Sequence, residues 1–270
     1  MDIKKQIYID GCSTSPPRIE VINRINEIYS HYWANPSSIH TPGIKSAEIL
    51  ENSRLSIAKI LNADYKEIIF TSGATESINL ALTGSAENLD PGRIIISSVE
   101  HPAVIEAAKL LARKGWEVVE WPVDCKGKID LNQIETLLSP PTKIVSLIWG
   151  QSEIGTIQPI QIIGYKCRER GILFHTDATQ YINHLPISWK NLPVDLLTLS
   201  AHKFRGPKGI GLLLIRNDSD FTLTPLFPGI KSDNYLRSGT PPVALISGMD
   251  IALKMLYRIY FSNENEENRK

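Results

Sequence analysis

Residues 195–211 read DLLTLSAHKFRGPKGIG, and the fold prediction starts from this stretch. The apolar run 194–199 has the length and composition of a buried strand. It leads into the tetrapeptide SAHK, which ends at Lys203, and then into a turn rich in glycine. A lysine at the end of a buried strand is expected to lie in a cleft. Burial disfavours the ammonium form, and a partly deprotonated lysine amine is a nucleophile toward aldehydes.

A second motif gives Lys203 a partner. Residues 174–180 read FHTDATQ at the end of another apolar run, and Asp177 lies 26 residues before Lys203. Pyridoxal 5'-phosphate (PLP) serves as an electron sink when its ring nitrogen is protonated, and a carboxylate beside that nitrogen keeps it so. The pair therefore predicts a PLP site, with Ser200 and His202 as hydrogen-bond donors to the phosphate. Taken singly, Lys203 could be an ordinary surface lysine and Asp177 an N-cap.

The composition is that of a soluble globular protein. The chain has 270 residues, 42% hydrophobic and 21% charged, which is enough material to bury a sizeable core. It carries 29 basic and 29 acidic side chains, so its charge gives no reason to expect nucleic acid or an anionic membrane as a partner. No apolar run is long enough to span a bilayer, and the first residues lack the apolar core of a signal peptide.

Cysteine is sparse. Cys12, Cys125 and Cys167 are an odd number without the spacing of metal ligands, so the sequence predicts no metal site. A chain without a disulfide framework is typical of a reducing compartment, and we expect a cytoplasmic protein.

Apolar strands and amphipathic helices alternate along most of the chain. This alternation predicts an α/β fold with a mostly parallel sheet that is covered by helices on both faces. Strands are expected at residues 66–71, 93–97, 116–121, 142–149, 172–174, 194–199 and 209–215, with a further short strand near residues 6–10. Helices are expected at residues 17–32, 41–61, 103–114, 130–138, 159–170 and 243–260, and another begins within 72–77. The charged tail 263–270 is expected to fray.

Two polar junctions at strand ends are candidate cofactor contacts. After the strand at 66–71, the sequence SGAT opens a helix whose free N–H groups and dipole favour a phosphate, with Ala74 and Thr75 as the best donors. Many such turns hold nothing, so this signal is weak by itself. His101 follows the next strand, at the edge where open α/β sheets bind ligands. It could stack on a cofactor ring or simply cap the following helix.

Nine short motifs occur in a fixed order along residues 6 to about 250: YID at 8–10, NPSS at 35–38, FTSGATES at 70–77, EH at 100–101, EIG at 153–155, HTDATQ at 175–180, SAHK at 200–203, GPKG at 206–209 and RSGT at 237–240. On this ordered set, the chain resembles the class V aminotransferase-like PLP enzymes of fold type I. Within them it resembles the cysteine desulfurases of the NifS and IscS kind. The resemblance implies the large domain of that fold, with a seven-stranded-type sheet flanked by helices.

The resemblance assigns roles position by position. Lys203 is expected to bind the PLP aldehyde, and Asp177 the ring nitrogen. His101 is expected to stack on the ring and to move protons, and Gln180 to bond the phenolic oxygen. The phosphate is expected to contact Thr75, Ser200 and His202, with Thr240 reaching it from the second subunit of a homodimer.

Two departures from the family pattern bear on function. Gln151-Ser152 stands where these enzymes commonly carry an Asn-Asn pair, so a contact of Ser152 with cofactor and substrate is open to question. The chain also stops where the small C-terminal domain of the family begins, with its mobile-loop cysteine and its substrate-binding arginine. We therefore expect an N-terminal segment near the active site at 1–15, a PLP-binding large domain at 16–242 and a truncated part of the small domain at 243–270.

The resemblance implies a PLP-dependent cysteine desulfurase, which converts L-cysteine to L-alanine and passes sulfur to a thiol acceptor, including an acceptor protein in iron–sulfur cluster assembly. Two alternatives stay open. One is another class V reaction: a selenocysteine lyase, a β-lyase or an aminotransferase. The other is a catalytically idle scaffold that works through a partner. Because the small domain is expected to be incomplete, we expect PLP binding without efficient desulfuration, unless Cys12 replaces the missing nucleophile.

Overall fold

The computed structural model describes residues 7–218, 220–229 and 236–267, with side chains described up to residue 262. Within these ranges, the strands are β1 (Ile68–Thr71), β2 (Arg93–Ser97), β3 (Glu117–Trp121), β4 (Thr142–Ile148), β5 (Leu173–Asp177), β6 (Leu196–Ser200) and β7 (Gly211–Ile215). They form one sheet in the order β1-β7-β6-β5-β4-β2-β3. Only the pairs made by β7, with β1 and with β6, are antiparallel. The predicted α/β fold with a mostly parallel sheet of seven strands is confirmed.

Helices cover both faces of the sheet. They are α1 (Ile19–His31), α2 (Thr41–Leu61), α3 (Ala74–Ala86), α4 (Pro102–Arg113), α5 (Ile134–Leu137), α6 (Ile160–Glu169) and α7 (Val243–Glu267). One apolar cluster joins α3 and α4 to one face of the sheet, and a larger one joins α1, α2, α6 and α7 to the other. Because the central strands are buried on both sides, they read in the sequence as continuous apolar runs.

The topology brings several strand ends to one edge of the sheet. Strands β1, β2, β4, β5 and β6 run in the same direction, so the loops that follow them emerge together. The register places Thr71 and Ser200 on either side of Gly211. A Cβ atom on Gly211 would lie 2.7 Å from the Leu199 carbonyl oxygen and 2.8 Å from Gly73 Cα. Glycine at this position therefore lets the turn before α3 approach the end of β6.

The predicted N-terminal strand is wrong for residues 7–10. These residues are exposed and pair with no strand in the part of the chain that the structure describes, and residue 6 lies outside it. The hydroxyl of Tyr8 instead lies 2.8 Å from the carbonyl oxygens of both Asp10 and Thr14. A short apolar run forms a strand only when a sheet edge accepts it.

Two helix predictions also need correction. The helix expected at 130–138 is a 3-10 turn, Leu131–Gln133, followed by the short α5. Helix α7 continues to Glu267, so the fraying expected from residue 263 is wrong as far as that residue, while 268–270 lie outside the described chain. Residues 261–267 contain no glycine or proline to end the helix.

Helix α7 packs against α1 and α2 and contributes to the larger apolar cluster. The division of the chain after residue 242 stays a prediction. Within the described ranges, no helix combines the length and the apolar character that crossing a membrane requires.

Candidate active site

One pocket of about 660 Å³ opens at the edge where the parallel strands end. Nine of the ten residues predicted for the site line it: Ala74, Thr75, His101, Ser152, Asp177, Gln180, Ser200, His202 and Lys203. Thr240 does not line this pocket and is exposed. The sequence motifs therefore meet in space because each follows a strand of the same sheet.

Lys203 lies in a 3-10 turn, Ala201–Phe204, directly after β6. Its Nζ donates to the carbonyl oxygens of Cys12 at 2.6 Å and of Ser13 at 2.8 Å. Burial lowers the pKa of Lys203, and the nearby Asp177 carboxylate opposes that shift. The amine is thus partly withdrawn from water, as the position at a strand end predicts.

A segment of the N-terminal region, residues 12–15, crosses the turn that carries Lys203, and we call it the strap. The hydroxyl of Ser15 lies 2.9 Å from the carbonyl oxygen of His202 and 3.1 Å from that of Lys203. The hydroxyl of Thr14 lies 3.0 Å from His202 Nδ1, and Gln180 Nε2 donates to the Cys12 carbonyl oxygen at 2.6 Å. Most of these contacts involve backbone carbonyls, which leave no signature in the sequence.

Asp177 is the last residue of β5, and its side chain is buried. Its Oδ1 accepts a hydrogen bond from the backbone N–H of Thr179 at 3.0 Å. Burial raises the pKa of Asp177, while the bonds from Thr179 and the charges of His101 and Lys203 act in the opposite direction. The N-cap role considered from the sequence is wrong, because Gln180 is the N-cap of the next helical turn, Tyr181–Asn183. The Asp177 carboxylate instead fixes the local turn to Thr179 and lines the pocket with Lys203.

The turn before α3 leaves backbone N–H groups free at the pocket. Gly73 has a φ of 153°, which L side chains rarely adopt, and it precedes the first residue of α3, Ala74. The hydroxyl of Thr71 bonds to the Gly73 carbonyl oxygen and to Ser77, at 3.1 Å and 2.7 Å, and fixes the turn. The first N–H groups of a helix have no acceptor within it, so those at Ala74 and Thr75 are suited to a phosphate.

An ion pair connects this turn to the segment of Thr240. Arg237 Nε lies 3.0 Å from Glu76 Oε1, and Glu76 Oε2 accepts from the backbone N–H of Ser72 at 2.7 Å. Burial raises the pKa of Glu76, but the hydrogen bonds from Arg237 and Ser72 outweigh it and the net pKa is lowered. Sequence reasoning assigned no role to Glu76 or Arg237, because an ion pair between residues 161 positions apart has no local pattern.

His101 caps α4: its Nδ1 accepts from the backbone N–H of Ala103 at 3.1 Å. This matches the capping interpretation, yet the ring also lines the pocket. With Nδ1 occupied as an acceptor, the proton of the neutral ring is on Nε2. A single side chain thus ends the helix and presents an imidazole to the site.

Two buried groups around the site were missed as functional candidates. Glu100 is fully buried, and burial, with the nearby Asp177 charge, raises its pKa to about 8. His175 lies between the hydroxyls of Ser146 and Thr198 at 2.8 Å and 2.9 Å, and burial lowers its pKa to about 3. Both residues belong to motifs of the sequence, but only burial distinguishes them from exposed polar residues.

The donor set of the pocket fits PLP. An amine for the aldehyde, a buried carboxylate for the ring nitrogen and a helix N-terminus for the phosphate line one cavity. Thr179 Oγ1 is buried there and has no hydrogen-bond partner among the residues that the structure describes. A buried hydroxyl without a partner points to a polar group that occupies the pocket.

Comparison with known proteins agrees with this geometry. The family model "Aminotransferase class-V" matches residues 7–270. The chain is 41% identical over 255 residues to the cysteine desulfurase IscS of Dictyoglomus turgidum, covering 94% of this chain and 64% of that protein. It is 38% identical over 263 residues to the mitochondrial cysteine desulfurase of Saccharomyces cerevisiae, covering 96% and 53%. The chain therefore spans between about half and two thirds of the length of these relatives.

Solved structures are similar over the same region. A NifS-like protein superposes with a TM-score of 0.90 at 36% identity, covering 94% of this chain and 70% of that one. SspA in complex with cysteine superposes with a TM-score of 0.88 at 36% identity, covering 92% and 72%. Both similarities therefore extend over more than nine tenths of this chain.

Proposed function

Because the chain belongs to the aminotransferase class-V family, we propose that it carries the PLP site of a cysteine desulfurase, which takes sulfur from L-cysteine to a thiol acceptor and leaves L-alanine. The observation that carries the proposal is the joint presence of Lys203, Asp177 and the turn before α3 in one pocket. The names of the relatives support the choice of reaction, and the cysteine bound to SspA supports the choice of substrate.

Each part of PLP has a candidate partner in the pocket. The Lys203 amine would engage the aldehyde, the Asp177 carboxylate the ring nitrogen, and Gln180 the phenolic oxygen. The phosphate would lie against the start of α3, with Ala74, Thr75, Ser200 and His202 around it. When bound, PLP supplies an electron sink for the bond that is broken in the substrate.

The residues of the chain supply binding, orientation and proton transfer. Asp177 is buried and under the influence of the charges of Lys203 and His101, and its carboxylate would keep a bound ring nitrogen protonated. Lys203 Nζ donates to two strap carbonyls, and these bonds orient the amine in the pocket. His101 offers Nε2 for a second proton transfer, because Nδ1 is held by the helix. Ser152 lines the pocket and could contact the substrate.

The remaining parts of the proposal are the partners and the compartment. We propose a homodimer, because Thr240 lies outside the pocket of its own subunit. A sulfur-acceptor protein and a cytoplasmic location complete the proposal. Relatives of the chain include mitochondrial proteins.

The test has two stages. Protein loaded with PLP is reduced with borohydride and digested, and mass spectrometry is expected to find the pyridoxyl adduct on Lys203. Two variants are compared: Lys203→Ala is expected to abolish the adduct, whereas Lys208→Ala is expected to keep it. The two lysines are matched because both line the pocket within one short segment. An adduct on Lys208, or none in PLP-saturated protein, contradicts the assignment.

In the second stage the loaded protein is incubated with L-cysteine, with and without dithiothreitol, and alanine, sulfide and pyruvate are measured together. Alanine with sulfide supports a desulfurase. Pyruvate indicates a β-lyase instead, and PLP binding without any product indicates an idle scaffold.

A further inference from the structure

Glu100 connects the ends of two neighbouring strands at the edge of the sheet that carries the pocket. Its carboxyl group is buried, with the residue only 8% exposed. Oε1 accepts a hydrogen bond from the hydroxyl of Ser97, at the end of β2, at 2.5 Å. The same oxygen accepts from the backbone N–H of Ile148, at the end of β4, at 2.7 Å. One carboxyl oxygen thus ties β2 to β4 at the edge of the sheet that carries the pocket.

These two strand ends lead directly to the candidate catalytic groups. Glu100 is followed in the chain by His101, which lines the pocket. Ile148 also lines the pocket and is paired in register with Asp177 of β5. The backbone N–H of Trp149 donates to the Asp177 carbonyl oxygen at 2.9 Å, which extends the connection. A displacement of the Glu100 carboxyl would therefore move both His101 and the end of β5.

The surroundings of Glu100 favour its uncharged form. Its Oε2 is buried and has no hydrogen-bond partner within the described ranges. The contacts from β2 and β4 are an uncharged hydroxyl and an amide, the charged group that acts on it from β5 is Asp177, and His101 lies next to it at the start of α4. Burial raises the pKa of Glu100 to about 8, and the Asp177 charge adds to the effect. When two buried carboxylates interact electrostatically, ionising both carries a cost.

We propose that Glu100 is a positioning residue, an uncharged clamp that holds His101 and, through Ile148, the Asp177 end of β5 around the cofactor site. It leaves Asp177 as the one ionised carboxylate of the pair. This inference rests on the proposed PLP site and adds to it a residue that need not touch the cofactor.

Asp195 provides the matched control. It is also a largely buried carboxyl that accepts from a strand backbone, here the N–H of Phe174 at 2.8 Å, and burial also raises its pKa. It precedes β6, however, and so lies at the opposite edge of the sheet from the pocket. A carboxyl that serves only the fold would behave like Asp195.

The experiment compares the parent protein with Glu100→Ala, Glu100→Gln and Asp195→Asn. The measurements are the melting temperature without PLP, the affinity for PLP, and the absorbance of the PLP-loaded protein as a function of pH. Glu100→Ala is expected to weaken PLP binding about tenfold or more, since it removes the buried hydrogen bonds that Ser97 and Ile148 make to this carboxyl. Asp195→Asn is expected to lower the melting temperature while leaving PLP affinity and the absorbance profile unchanged.

Glu100→Gln separates the hydrogen bonding of residue 100 from its ionisation. Its amide oxygen can accept the same two hydrogen bonds, so PLP affinity is expected to stay within about threefold of the parent. In the parent, ionisation of Glu100 is expected to change the absorbance of the bound cofactor near pH 8. Glutamine cannot ionise, so this change is expected to disappear in Glu100→Gln.

The outcomes are distinct. Parental PLP affinity and absorbance in Glu100→Ala, or the same effects in Asp195→Asn, overturn the proposal. If Glu100→Ala does not fold, a profile of Glu100→Gln that keeps the parental change near pH 8 overturns it as well. If the parent itself binds no PLP, the proposed function fails first, and the melting temperatures alone then show whether Glu100 differs from Asp195.

Discussion

Lys203 and Asp177 were identified from the sequence because each couples an ionisable side chain to the end of an apolar run. The structure places both in one pocket. For each of them, burial shifts the pKa in one direction and the charge of the other shifts it back. Burial favours the neutral amine and the neutral acid, while the charge of each favours the ionised form of the other. A pair held in this balance is suited to exchange protons with a bound ring.

The charge of Asp177 can be tested by a single substitution. Asp177→Asn keeps the size of the side chain and the acceptor for Thr179, so PLP binding is expected to persist. The amide cannot hold a proton on the ring nitrogen by charge, so alanine formation is expected to fall about a hundredfold or more. Titration with PLP and an alanine assay measure the two effects. Full activity in Asp177→Asn would show that this residue only holds the turn to Thr179.

At the scale of elements, the central strands were predicted well because a strand that is buried on both faces must be apolar throughout. The same reasoning failed at residues 7–10, where Ile7, Tyr8 and Ile9 form a short apolar run but no strand of the described chain accepts them. The SGAT turn and the start of the helix that follows it were also predicted from the sequence. The strap and the Glu76–Arg237 pair were not, since they depend on backbone atoms and on residues far apart in sequence.

The contacts of Ser15 in the strap can be tested by substitution. The Ser15 hydroxyl donates to the His202 carbonyl oxygen and accepts from the N–H of Arg205 at 3.0 Å. Ser15→Ala leaves that N–H without its acceptor and is expected to cost about 1–2 kcal/mol, or a few degrees of melting temperature. Hydrogen exchange at residues 201–205 is expected to become faster.

Cys12→Ser is the control within the strap, because Cys12 contacts Lys203 and Gln180 through its carbonyl oxygen. It is expected to leave the melting temperature and the exchange rates unchanged. Equal effects of the two substitutions would mean that the hydroxyl of Ser15 does not hold the strap.

For the whole molecule, two fully buried groups set opposite pH dependences. The unfolded chain ionises Glu100 above its ordinary pKa of 4.5, whereas the folded chain keeps it protonated up to about pH 8. Folded stability therefore falls as pH rises through that window. For His175 the ordinary pKa is 6.5 and the folded pKa about 3, so stability falls as pH drops through this second window.

We therefore expect the melting temperature of the protein without PLP to be highest between about pH 4.5 and 6.5, where the two slopes oppose each other. Above that range stability is expected to fall by at most about 1.4 kcal/mol per pH unit. Scanning calorimetry from pH 4 to 9 measures the profile, and Glu100→Gln is expected to remove the fall toward pH 8. A parent profile that rises steadily to pH 8 contradicts this prediction.

The assembly of the molecule determines whether the pocket is complete. Arg237 pairs with Glu76 in the wall of the pocket, but Thr240, three residues further on, is exposed and does not line it. In the proposed homodimer, this exposed threonine completes the phosphate site of the second subunit. Thr240→Ala is then expected to weaken PLP binding about tenfold, the loss of one or two hydrogen bonds to a charged group.

Mixing two defective variants tests which subunit Thr240 serves. A dimer of one Lys203→Ala chain and one Thr240→Ala chain contains one intact site if Thr240 acts across the interface, because the second chain's Lys203 then meets the first chain's Thr240. Equal refolding of the two variants is expected to restore parental PLP affinity in roughly a quarter of all sites. Borohydride reduction at limiting PLP, followed by mass spectrometry of the Lys203 peptide, counts those sites. If Thr240 acts within its own subunit, or the chain is a monomer, no mixed species has both residues at one site, and the mixture binds PLP no better than Thr240→Ala alone.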